Sequence, residues 1–191
     1  MAVINVATKE IHAKVVYYGP GFSGKTTNLE YIYRRVPKES KGEMLSLATE
    51  TERTLFFDFL HLDVAQVRGF TVRFHLYTTP GQQLYERTRF AVLNGADGVV
   101  FVGDAERERL RDNVDSLKEL AQNLTKQGKQ FRTFPLLLQY NKIDLPSALP
   151  VPVLDKYLNP MKVPRYESVA IRGGGVFETL RGICRLVTNQ L

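Results

Sequence analysis

The residues best placed to do chemistry are Gly19-Pro20-Gly21-Phe22-Ser23-Gly24-Lys25-Thr26, which match the pattern G-x-x-x-x-G-K-[ST]. A polyphosphate needs many donors at short range. The glycines Gly19, Gly21 and Gly24 let a loop wrap so that backbone N–H groups, including those of Phe22 and Ser23, turn inward, and a following helix adds the positive end of its dipole. Lys25 brings a charge to the β- and γ-phosphates, the Thr26 hydroxyl can bind Mg²⁺, and Thr27 lies in the same first helical turn. An ordinary glycine-rich turn would show the same letters. An apolar strand before the loop and an amphipathic helix after it are what separate the two readings, and both are present here.

Further along, Asn141-Lys142-Ile143-Asp144 resembles the N-K-x-D guanine motif of GTPases. The Asp144 carboxylate only accepts, so it suits the N1–H and exocyclic amino group of guanine, whereas adenine has no donor at N1. By the same resemblance Asn141 braces the loops and the stem of Lys142 packs on the ring. Ser168, Val169 and Ala170 occupy the place of the loop that in Ras-like proteins offers a backbone N–H to the guanine carbonyl. Alone, N-K-x-D is a common surface turn; downstream of a phosphate loop it selects GTP and GDP as the nucleotides.

Two segments are candidates to sense the γ-phosphate. In Thr78-Thr79-Pro80-Gly81-Gln82 the Ras-like pattern D-x-x-G-Q has Thr78 where an aspartate is expected. Gly81 can offer its N–H to the phosphate, and Gln82 can orient the attacking water. With a hydroxyl at Thr78, either another acid serves the metal's water shell or affinity for Mg²⁺ is weaker. Asp58 is that acid, acting through water, or else a solvated strand-face aspartate. In the stretch 49–54, Thr54 is chosen over Thr49 and Thr51 as the second Mg²⁺ ligand. Its neighbour Arg53 either supplies a charge in cis to the hydrolytic transition state or is a surface arginine.

These loops need a scaffold that brings them to one edge. Apolar runs at Ala13–Tyr18, Thr54–Leu60, Phe70–Tyr77, Gly98–Val102, Pro135–Tyr140 and Tyr166–Ala170 predict six strands. The second and third alternate and read as an antiparallel hairpin across HLDVAQVRG. Helical spacing follows the first strand (Leu29, Ile32, Val36), the fourth (Leu110, Val114, Leu117, Ala121, Leu124) and the last (Val176, Leu180, Ile183, Val187, Leu191). Gly128 and Pro37 mark helix ends. The expectation is an α/β phosphate-loop NTPase: a Ras-like, six-stranded, mostly parallel sheet with one antiparallel edge strand and helices on both faces. Its ligands belong at the carboxyl ends of the strands.

At 191 residues and 43% hydrophobic content the chain fits a single domain over 1–191. There is no long apolar run and no signal-peptide pattern at MAVINVATKE, so a cytoplasmic protein is expected. The lone Cys184 falls on an apolar helical face and reads as core. The net charge of +6 is spread thinly: Arg107, Arg109 and Arg111 alternate with acids. Nucleic acid is therefore not an expected partner. Ala2 does not permit N-myristoylation and RGICRLVTNQL is no prenylation box, so no stable membrane anchor is expected.

Taken together, KVVYYGPGFSGKTTNLEYIY, LSLATETERTLFFDF, the TTPGQ box and QYNKIDLP resemble the MglA family, bacterial small GTPases of gliding motility and cell polarity. The likeness spans essentially the whole chain, and the threonine at Thr78 is itself a family feature. The resemblance implies slow hydrolysis of GTP and recruitment to a cell pole in the GTP state. As activating partner it implies an MglB-like roadblock-fold dimer that rearranges the switches, with polarity or motility effectors downstream. It makes Arg53 and Gln82 the hydrolytic pair and Thr26 and Thr54 the Mg²⁺ ligands. The segment QLYERTRFAVLNGADG departs from the family pattern, which leaves a divergent paralogue open. The alternatives are a low-turnover, GTP- or GDP-dependent scaffold with no motility role, and a nucleoside kinase, to which N-K-x-D lends nothing.

Overall fold

The computed structural model describes residues 2–49, 52–67, 69–81 and 85–191, with side chains for all of these except 46–49, 52–57 and 63–67. Its strands are β1 (Val3–Asn5), β2 (Glu10–Tyr18), β3 (Leu45–Thr49), β4 (Glu52–Val67), β5 (Phe70–Thr78), β6 (Gly98–Asp104), β7 (Leu136–Asn141) and β8 (Arg165–Ser168). Its α-helices are α1 (Lys25–Arg35), α2 (Glu86–Leu93), α3 (Leu110–Lys126), α4 (Val151–Leu158) and α5 (Val176–Thr188).

The strands form one sheet in the order β3-β4-β5-β2-β6-β7-β8, with β1 paired to β2. β5, β2, β6, β7 and β8 run parallel, while β4 is antiparallel to β5 and β3 to β4. The six expected strands are all present. β1 and β3 join them, so the antiparallel edge is two strands deep. The residues HLDVAQV, expected to link a hairpin, instead continue β4, with Leu62 opposite Phe74 and Val67 opposite Phe70.

Alternation along β2 divides the core in two. Ala13, Val15 and Tyr17 face α1 and α5 with Leu29, Ile32, Val176 and Ile183. Val16 and Tyr18 face the other way, with Leu93, Leu120 and Leu154. Burial of this size on both faces is the main stabilising term for such a sheet. Cys184 lies in the first cluster, and burial pushes its thiol up to about 12, so it is an inert core group. The long helix ends as expected: Gly128, at φ 73°, follows α3 and its N–H bonds Thr125 O at 2.9 Å.

The parallel register sets the carboxyl ends of five strands side by side: Tyr17 beside Thr78, Asp104 beside Asn141, and Asn141 beside Ser168. Every motif singled out above except Arg53 and Thr54 leaves the sheet from this edge. A buried polar net ties the edge to the helices. Gln139 on β7 exchanges two bonds with Asn28 of α1, at 2.8 and 2.9 Å, and donates to Thr179 of α5 at 2.9 Å. Asn28 in turn donates to Gly24 O, and Thr179 to Gly175 O. Gln139→Leu keeps the volume but strands buried groups on Asn28 and Thr179, so it should lower unfolding free energy by about 1–3 kcal/mol. Urea unfolding checks this; a change below about 0.5 kcal/mol means that the net does not stabilise the edge.

Candidate functional site

Between β2 and α1 the chain closes a tight loop, 19–24. Gly24, at φ 99°, has no room for a side chain, since a Cβ there would lie 2.2 Å from Asn141 Nδ2. Phe22 carries a side chain at φ 63° and leaves its ring 75% exposed. Inside the loop Lys25 Nζ donates to Gly19 O at 2.9 Å and Pro20 O at 2.6 Å. Burial, then the charges of Arg89 and Arg109, push the Lys25 ammonium down to about 7 against the opposing pull of Asp58. A cation so desolvated gains from any anion brought against it.

Thr26, the next residue, donates its hydroxyl to Asp58 Oδ2 at 2.6 Å. Thr78 joins the pair: Asp58 N–H donates to Thr78 Oγ1 at 2.8 Å, and that hydroxyl donates to Asp58 Oδ2 at 2.9 Å. Asp58 is fully buried, so it is not a solvated strand-face residue. The carboxylate expected at Thr78 thus reaches the same place from the neighbouring antiparallel strand. Thr26 and Asp58 are hard oxygen donors. Among the described residues no group of three or more His, Cys, Asp and Glu forms a protein cage for a metal. Two oxygen donors of this kind fit Mg²⁺, which takes most of its ligands from phosphate and water.

Of the remaining switch residues, Gly81 lies against the phosphate loop: a Cβ on it would stand 2.3 Å from Gly21 Cα and 2.3 Å from Gly21 N. The backbone of Arg53 and Thr54 belongs to β4, inside a hairpin in which Thr49 pairs with Glu52, and not to a loop before the strand. Pairing with β3 outweighs the loop-like look of TETERT. Their side chains, and all of Gln82, lie outside the described residues. Asp58 is the acid that stands beside Thr26, and the backbone of Thr54 lies four residues earlier, about 13 Å along an extended strand.

On the other side of the loop, Asn141 is the hub. Its Nδ2 donates to Ser23 O at 2.8 Å, and its Oδ1 accepts from Ala170 N–H at 2.9 Å and from Ser168 Oγ at 3.0 Å. Lys142, at φ 67°, folds back so that Nζ meets Asp104 Oδ2 at 2.5 Å and Glu106 Oε1 at 3.1 Å. Burial pulls this ammonium down, but the two acids outweigh it and hold it above its usual value. Asp144 sits at the mouth, 3.5 Å from the exposed guanidinium of Arg172. Val169 and Ala170 give their N–H groups to Gly174 O and Asn141 Oδ1, so a base carbonyl at this loop would share the Ala170 donor with Asn141.

Several site residues had no sequence signal. Asp104 ends β6 fully buried by its side chain, with Glu106 after it, and only the Lys142 contact reveals its part. Ile171, 80% exposed, follows Ala170 directly, and its exposure shows only in the folded chain. On the α3 side, Arg89 forms a two-pronged pair with Glu119 at 2.7 and 3.0 Å and reaches Pro80 O at 3.3 Å. Tyr18 OH donates to the same Glu119 at 2.9 Å.

The Ras family model matches residues 14–188 of the chain. The mutual gliding-motility protein MglA of Myxococcus xanthus is 51% identical over 191 residues, covering 100% of this chain and 98% of that one. The Ypt/Rab-type GTPase ypt7 of Schizosaccharomyces pombe is 29% identical over 144 residues, 73% of this chain and 63% of that one.

The buried lysine gives the first test. A desolvated cation at its place contributes little to the stability of the ligand-free fold and much to anion binding. Lys25→Ala should leave the ligand-free melting temperature unchanged or raised, while GTP affinity falls by at least about a hundredfold, near 2.7 kcal/mol. Calorimetry with and without GTP decides; retained tight binding would remove Lys25 from the phosphate site.

Proposed function

The chain belongs to the Ras family, and within it to the MglA proteins, and from that premise we propose that this GTP hydrolase is a Mg²⁺-dependent switch controlling gliding motility and cell polarity. The observation that carries the reading is the Asn141 side chain, which bonds both Ser23 O of the phosphate loop and Ala170 N–H of the β8 loop. The triphosphate cradle and the base slot are thereby one piece.

In this reading guanine lies between the stem of Lys142, anchored by Asp104 and Glu106, and the exposed Ile171, with Asp144 accepting from its N1–H and amino group. A site with such a partner discriminates strongly against bases that leave it unpaired. The β- and γ-phosphates enter the 19–26 loop, where backbone N–H groups and Lys25 take up their charge. Mg²⁺, held by Thr26 and through water by Asp58, with Thr54 as the further ligand, would neutralise charge on the phosphate oxygens. Gly81 N–H bonds the γ-phosphate in the GTP state, and Gln82 orients a water in line with it. The water oxygen bonds to phosphorus as the bridge to the β-phosphate breaks, giving GDP and phosphate.

Arg53 and Thr54 lie five and four residues before Asp58 on β4, and in this reading the segment shifts to set them against the phosphates. We assign that movement to an activating roadblock-fold dimer like MglB, and pole recruitment and effector binding to the GTP state. Single-turnover GTP hydrolysis, with and without such a dimer, tests the reading. Gln82→Leu and Arg53→Ala should each slow partner-stimulated turnover by at least about tenfold, or 1.4 kcal/mol of barrier, with little change in GTP affinity. Turnover that is negligible in the parent and unmoved by the dimer would point instead to a GDP-dependent recruiter.

The metal assignment has its own check. Asp58→Asn keeps the shape and removes the charge beside Thr26, so the stabilisation of bound GDP by Mg²⁺ should shrink. The rate of GDP release in Mg²⁺ relative to EDTA measures it. An unchanged ratio would leave Asp58 a structural partner of Thr78.

A further inference from the structure

Arg109 closes a 3₁₀ turn, Arg107–Arg109, just before α3. Its Nη2 donates to Gly21 O in the phosphate loop at 2.8 Å, and its Nη1 lies 2.5 Å from Asp112 Oδ2. The residue thus spans from the first turn of α3 to the middle of the loop, along a cavity of about 360 Å³ also lined by Gly21, Gly81, Asp112 and Ser116. Its Nε is buried with no partner among the described residues. The ion pair with Asp112 fixes the guanidinium, which makes its grip on Gly21 a matter of geometry as well as charge.

The consequence follows from peptide planarity. The Gly21–Phe22 peptide is trans, and in a trans peptide the C=O and the next N–H point to opposite sides. Lys25 Nζ and the carbonyls of Gly19 and Pro20 mark the inside of the loop. Arg109 draws Gly21 O out toward α3, so the Phe22 N–H points the other way, away from α3. Phe22 also keeps φ 63°, a conformation that a side-chain-bearing residue holds only when its surroundings impose it.

We propose that Arg109 is a positioning residue for the nucleotide: it clamps the Gly21–Phe22 peptide so that the Phe22 N–H is presented to the β-phosphate. Without the clamp the peptide is free to turn over and set an acceptor oxygen against the phosphate. The inference rests on reading residues 19–26 as the phosphate loop, and it adds a residue that lies outside every motif of the sequence.

The test uses the full-length protein loaded with GDP. Release of a fluorescent GDP analogue and the ³¹P spectrum of bound GDP are recorded for the parent, Arg109→Ala and Arg109→Lys. Arg109→Ala should release GDP at least about tenfold faster, the scale of one charge-assisted hydrogen bond. Its β-phosphate resonance should shift while the α-phosphate resonance, the melting temperature of the nucleotide-free protein and the preference for GTP over xanthosine triphosphate hold. Arg109→Lys, which keeps a charge and a donor, should fall between alanine and the parent, and it serves in place of alanine if that variant is unstable. Unchanged release in Arg109→Ala overturns the clamp while leaving the phosphate loop in place. Faster release with an unmoved β-phosphate resonance also overturns it, in favour of a general loosening of the loop. Failure of the parent itself to hold GDP would overturn the phosphate-loop reading and the clamp with it.

Discussion

One buried carboxamide holds the site together. Asn141 satisfies all of its role at a point where three segments distant in sequence meet: the phosphate loop through Ser23 O, the end of its own strand, and the β8 loop through Ser168 and Ala170. An amide can do this because it donates and accepts from one planar group, which neither a carboxylate nor an ammonium does. The parallel order is what allows it. β7 lies between β6 and β8, so its carboxyl end is flanked on both sides, and its last residue is 3% exposed. Gly24 is part of the same constraint, because any side chain there would displace the amide.

The acid beside Thr26 shows a second route to an old requirement. A γ-phosphate site with a divalent cation wants a carboxylate near the hydroxyl of the phosphate loop. Here β5 ends in Thr78, and the acid comes from β4, where Phe59 pairs with Tyr77 and so sets Asp58 against Thr78. The hydroxyl of Thr78 both accepts from and donates to Asp58, which orients the carboxylate as a second-strand brace. The change is not neutral for the switch. An acid on β5 would sit on a strand paired on both sides, whereas Asp58 belongs to the strand that also carries Arg53 and Thr54. Any shift of β4 along its axis therefore moves the acid and the proposed hydrolytic residues together.

Much of this was legible in the chain because it is written locally. The phosphate loop and N-K-x-D are runs of consecutive residues whose chemistry follows from their order, and the central strands are apolar runs too short for helices. Even the nomination of Asp58 came from the missing acid at Thr78. What was hidden depends on pairing across the fold. β1 exposes all three of its residues, so it has no buried face to read, and β3 exists through its ladder with β4. α4 buries only Leu154 and Leu158 and starts among prolines, which look like loop until taken as a helix start. Asp104, Arg89 and Arg109 act over 9 to 88 positions of sequence or through backbone atoms, and composition carries no trace of such contacts.

The sheet also separates what can move from what cannot. β2, β6 and β7 are hydrogen-bonded on both sides and packed by helices on both faces, so displacing any of them would break two ladders and open the core. The phosphate loop and the base slot hang from these strands. β3 is an edge strand and β4 has only β5 on its inner side, so moving the β3–β4 pair as a unit breaks one antiparallel ladder and disturbs the burial of Leu60 and Leu62, against two ladders for a central strand. Local openings in proteins are drawn from such low-cost elements. In the proposed reading the base is read from the strands that cannot move, while Arg53 and Thr54 ride on the edge pair that can, which is the division of labour a two-state switch requires.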